Sequence, residues 1–182
     1  GFGTTRIAGG QMTEGWQSGG KRADGQPTDR GLTDIKAKAG PEVPRTTMSL
    51  ALAVRLIEKI EAKAAEWDMR VVTAVSDAYG RPVAVHCMDG AYIGSFDVAL
   101  NKTYTSIAFQ MSTEQLGALS QPGESLYGIQ FTNGGRIVIF GGGELLVRNG
   151  MIVGALGVSG GSAQQDTMLA AYGRDIFGTL SP

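Results

Sequence analysis

The sequence predicts an α+β domain in the order αββααβββα, with a five-stranded antiparallel sheet packed against helices. Three observations carry that expectation. The pair Asn149-Gly150 separates two apolar runs, Glu144–Arg148 and Met151–Val158. Asn-Gly in that setting is a strong hairpin signal, because a two-residue type I′ turn needs positive φ at both central positions. Two Ser-x-x-Gln capping boxes, Ser112/Gln115 and Ser162/Gln165, mark helix starts. Finally, the chain has no internal repeat and no parallel βαβ series, which argues against a Rossmann architecture.

The elements follow in chain order. Residues 1–46 hold ten of the 28 glycines, three of the six prolines and few large apolar residues. Such a segment cannot bury enough apolar surface to offset its own ordering entropy. It reads as a tail, or as an arm that docks on a neighbouring subunit or a larger enzyme, with residues 47–182 as the folded domain. From Thr47, Leu50, Ala53, Val54, Ile57, Ile60, Ala64 and Trp67 form the stripe of an amphipathic helix, opposite Glu58, Lys59, Glu61 and Lys63. Thr46, Thr47 or Ser49 can cap it. Met69–Ser76 and Pro82–Met88 read as strands joined by the turn Asp77-Ala78-Tyr79-Gly80.

A second helix is expected over Phe96–Met111, capped by Ser95 and buried along Phe96, Leu100, Thr103 and Ile107. Ser112 opens a short third helix. Arg136–Phe140 reads as a strand ahead of the hairpin, and Ser162 opens a final helix ending near Phe177-Gly178.

Bulk properties narrow the function. The 182 residues carry a net charge of −1, against nucleic-acid binding by phosphate neutralisation. No stretch reaches the roughly 18 apolar residues of a membrane span. One cysteine, Cys87, excludes an intrachain disulfide, and one histidine excludes a closed zinc site within the chain. No signal peptide is apparent, and the compartment reads as cytoplasmic or exported.

Several residues can carry chemistry. His86 is the only histidine, so His-based chemistry or metal ligation within the chain must use it. Strand alternation puts Ala84, His86 and Met88 on one face, offering a nitrogen and a thioether together. Residues two apart on a strand lie about 6–7 Å apart, too close to flank one metal ion from opposite sides. One His86 per subunit, with a symmetry mate opposite, is the simpler arrangement. Lys102, in an apolar setting, has the potential to act as a base or amine nucleophile, or to form a structural pair with an acid. Ser159-Gly160-Gly161-Ser162 at a helix start offers backbone N–H groups to a carboxylate or phosphate, but no Gly-Lys-Ser/Thr follows, so it is not a P-loop. Asp166 falls at the same helix end. Gly141-Gly142-Gly143 allows close backbone approach.

Five patches together resemble a known family: Asp77-Ala78-Tyr79-Gly80-Arg81-Pro82, Met88-Asp89-Gly90-Ala91, Ala99…Lys102-Thr103…Thr105, Phe140-Gly141-Gly142-Gly143, and Gly154…Gly157-Val158-Ser159-Gly160-Gly161…Gln165-Asp166. Over residues 47–177 the chain resembles the GlcG/HbpS family, which includes the C-terminal domain of PduO-type corrinoid adenosyltransferases. That resemblance implies a profilin-like shape, homo-oligomers and haem binding in several members. It also places Lys102 at a recurring lysine, while Cys87 stands where relatives often carry Arg. Two functions follow as expectations. One is a haem or tetrapyrrole binding protein for sensing, storage or cofactor supply, with His86 as iron ligand and Met88, Gly141, Gly142, Ser159, Gly160 and Gly161 around the cofactor. The alternative is an enzyme or accessory subunit acting on a small carboxylate or hydroxy acid, with Lys102 and Asp166 as catalytic groups.

Overall fold

A computed structural model describes residues 48–182. The expected arm, 1–46, lies outside the described residues. Helix α1 spans Leu50–Glu66 and is capped by Ser49, whose side chain accepts the Leu52 N–H. Its stripe of Leu52, Ala53, Leu56, Ile57, Ile60 and Ala64 is buried as the spacing requires. Strands β1 (Val72–Asp77) and β2 (Pro82–Cys87) pair antiparallel. Their turn is held by Asp77, whose Oδ1 accepts the N–H groups of Tyr79 and Arg81.

Helix α2 (Ser95–Phe109) is followed by the short helix α3 (Thr113–Leu119), which opens on the expected Ser112/Gln115 box. Strands β3 (Gly143–Arg148) and β4 (Met151–Ser159) form the Asn149-Gly150 hairpin, and φ is positive at both turn residues. Helix α4 (Ala163–Phe177) starts at the Ser162/Gln165 box.

The sheet has four strands in the order β2-β1-β4-β3, all antiparallel, not the five expected. The missing strand is Arg136–Phe140. It runs beside α2 and α3 and not along a sheet edge, and its backbone finds other partners. The Val138 N–H donates to Thr105 Oγ1, and that hydroxyl, which donates to the Asn101 carbonyl at 2.7 Å, also lies 3.3 Å from the Arg136 carbonyl. The four apolar residues Ile137–Phe140 carry the signature of a strand whether their partner is a ladder or a hydroxyl.

Alternation along β1 divides the core. Val71 and Val75 face α1 and α4, joining Leu56, Ile57, Ile60, Leu146, Leu156, Val158, Leu169 and Phe177. Val72 and Ala74 face α2 and meet Ala99. Each large aliphatic side chain buried this way contributes about 1.5–3 kcal/mol. The α2 face is thinner and more polar. Helix α2 buries Ser95, Ala99, Lys102, Thr103, Thr105 and Ser106, whereas Phe96, expected in the core, is 42% exposed. Small residues let this helix sit close on the sheet: a Cβ on Gly157 would lie 2.1 Å from the Ala99 carbonyl oxygen.

Candidate functional site

Lys102 is the largest fully buried side chain of the described residues. The close approach of α2 to β4 carries it inward, and at that depth its ammonium needs partners. Nζ donates to the Val158 carbonyl at 2.6 Å and to Asp166 Oδ2 at 3.1 Å. The Phe140 ring covers the remaining side, its centroid 5.1 Å from Nζ. Burial pushes the Lys102 pKa below the usual 10.5, and the Asp166 carboxylate partly opposes that shift.

Asp166, 3% exposed, comes from the first turn of α4 and folds back over the corner that precedes it. Its Oδ1 accepts the Gly161 N–H at 2.8 Å, and Oδ2 accepts the Gly160 N–H at 3.4 Å. The corner that the sequence offers to an incoming anion therefore holds a carboxylate of its own chain. Ser159 is also engaged, its Oγ 3.2 Å from Ser95 Oγ. Gly142 is the point where β3 begins beside this cluster: a Cβ there would stand 2.6 Å from Lys102 Nζ and from the Val158 oxygen. Lys102, Asp166, Gly142, Ser159, Gly160 and Gly161 thus come together, as a packed cluster and not as an open pocket.

Gly141 lines a groove of about 580 Å³ outside this cluster, with Ile139 and Phe140 on one side and Gly117, Thr167 and Met168 on the others. Glu144, at the start of β3, pairs with Arg174 of α4 at 3.2 Å. Burial raises the Glu144 pKa above 4.5, with Arg174 opposing.

His86 lies elsewhere. It is opposite Thr73 on the α1 side of the sheet, whereas Lys102 reaches its partners from the α2 side. Its side chain is 35% exposed, and Nδ1 stands 3.1 Å from Oε1 of Glu61 on α1. A carboxylate has no hydrogen to give, so Nδ1 is the donor in this contact, and in the neutral imidazole the lone pair is then on Nε2. Nε2 has no hydrogen-bond partner among the described residues. Met88, placed on the same face by alternation, packs its thioether side chain against the apolar core.

Glu61 is the residue that sequence reading misses. Its spacing places it among the solvated charges of α1, yet it is four residues from buried Ile57 and next to buried Ile60. A flanking position of that kind is the signal that could have found it, since such a residue reaches whatever packs beside the helix.

Comparison with known proteins places the chain. A family model described as haem degrading protein HbpS-like matches residues 48–175. The uncharacterised 15.0 kDa protein of the dhaT-dhaS intergenic region of Citrobacter freundii is 44% identical over 134 residues, covering 74% of this chain and 94% of that protein. Corrinoid adenosyltransferase PduO of Citrobacter freundii is 34% identical over 142 residues, which are 78% of this chain and only 42% of PduO. Among solved structures, a PduOC:heme complex aligns with a TM-score of 0.68 and 32% identity, covering 71% of this chain and 94% of that one. With the family model spanning most of the described domain, and a relative this similar over nearly its whole length, the chain belongs to the HbpS-like family.

Proposed function

We propose that the chain binds haem or a closely related tetrapyrrole through His86 and serves in sensing, storage or supply of that cofactor. The observation that carries this reading is the state of the His86 ring. It is the only imidazole of the chain, it is reachable by solvent, and its Nε2, which has no hydrogen-bond partner among the described residues, presents a lone pair in the neutral ring. Axial ligation of haem iron asks for such a nitrogen, so the donor fits the group. Membership of the HbpS-like family and the likeness to the PduOC:heme complex support the same reading. When bound, the haem supplies the iron chemistry; this chain supplies the nitrogen and the surface that orients it.

Met88 is not a co-ligand in this reading, because it packs, partly buried, against the core and lies only two residues beyond His86. His86 of another copy would be able to hold the same haem, which makes homo-oligomers part of the proposal. The enzyme alternative has little geometry behind it, since Lys102 is fully buried and the anion corner is occupied by Asp166.

Hemin added to the purified chain should give a shifted Soret band, and His86→Ala should lose it. An unchanged spectrum in both proteins refutes the reading.

A further inference from the structure

We infer that Glu61 is a positioning residue for His86, fixing the ring so that Nε2, and not Nδ1, faces outward as the ligand atom. The inference rests on the His86 reading above. Three observations lead to it. The Glu61 and His86 side chains are 25 residues apart in sequence, brought together where α1 lies over the edge strand β2. Their contact at 3.1 Å joins one carboxylate oxygen to one ring nitrogen. Each is partly withdrawn from water, at 26% and 35% exposed, so the pair is screened less than one on the open surface.

A carboxylate that accepts the far ring N–H does two things to a ligating imidazole. It holds the tautomer and the ring plane, and it makes the opposite nitrogen a stronger donor. A stronger donor favours the higher oxidation state of the iron it binds. Glu61 is therefore assigned a share in both affinity and redox poise, while it never touches the iron.

The test separates this role from the parent reading. The chain has a single histidine, so ¹⁵N-histidine labelling reports one ring without ambiguity. In the ligand-free protein the neutral ring should hold its hydrogen on Nδ1, and Glu61→Ala should redistribute it between the two nitrogens, with a smaller change in Glu61→Gln, whose amide oxygen still accepts. With hemin, both variants should bind about 10-fold to about 100-fold more weakly than the parent. The ferric–ferrous midpoint of Glu61→Gln should also move to a more positive value. Glu61→Gln keeps the side-chain volume, so its fold is expected to be intact, and circular dichroism checks it. If both Glu61 variants keep the parent tautomer, affinity and midpoint, the positioning role is wrong, whatever His86→Ala does. If His86→Ala binds hemin as the parent does while the tautomer still responds to Glu61, the hydrogen bond stands but its role toward haem falls with the His86 reading.

Discussion

Lys102 and Asp166 hold opposite charges where water does not reach, and the two are not equally dependent on each other. Asp166 keeps the N–H groups of Gly160 and Gly161 if the lysine is lost. Lys102 without Asp166 keeps only the Val158 carbonyl and the face of Phe140. Removing one partner of a buried pair costs about 3–5 kcal/mol, much of it from the charge left behind. Asp166→Ala is therefore expected to lose about that much stability in urea unfolding, and Lys102→Met distinctly less. The pH dependence has a definite sign. The folded chain releases the Lys102 proton below 10.5, whereas the unfolded chain keeps it up to about that value. Between the two pKa values the unfolded state binds more protons, so stability rises with pH in that window. Unfolding midpoints of the parent and Lys102→Met, followed into the alkaline range, should show the rise in the parent and its absence in the variant.

At the scale of elements, the hairpin and the helix starts were legible because each is decided locally. Asn149-Gly150 needs only its own backbone, and the Ser112 and Ser162 boxes close within four residues. Arg136–Phe140 and the buried face of α2 differ from expectation because their surroundings decide them. The first is held by the Thr105 hydroxyl, some thirty residues away in sequence. The second buries small and polar residues, a pattern that hydrophobic periodicity is blind to. At the site, Lys102 and the two glycine corners were each legible as candidates, but that Asp166 fills one of those corners was not. The Glu61–His86 contact was equally hidden, because helix-to-strand packing fixes it.

The α2 interface also gives a clean test of close packing. Gly157→Ala would drive a methyl group into the Ala99 carbonyl, whereas at Gly94, just before α2, nothing lies within 4 Å and φ is −63°. Overpacking of a tight contact costs about 1–3 kcal/mol. Gly157→Ala should lower the thermal midpoint by several degrees, and Gly94→Ala should leave it nearly unchanged.

For the whole molecule, the core formed by α1, α4 and the sheet is assembled from residues 48–177, and the family match covers 48–175. A chain beginning at Thr47 is therefore expected to fold with the thermal midpoint of the full protein and to take up hemin to the same extent. Calorimetry and a Soret titration of the two chains check this. A lower midpoint for the shorter chain would mean that residues 1–46 contribute to stability.

The carboxylate folded over the Gly160-Gly161 corner has one more consequence. Asp166 is tethered five residues from the N–H group it accepts most closely, so its effective concentration there lies at or above the millimolar range of short flexible tethers. A free anion competes with that tethered carboxylate as well as with water. Millimolar phosphate, sulfate or a substrate carboxylate gains little occupancy against it. The corner is already occupied from within its own chain, and truncating Asp166 to alanine would leave the Gly160 and Gly161 N–H groups without that acceptor.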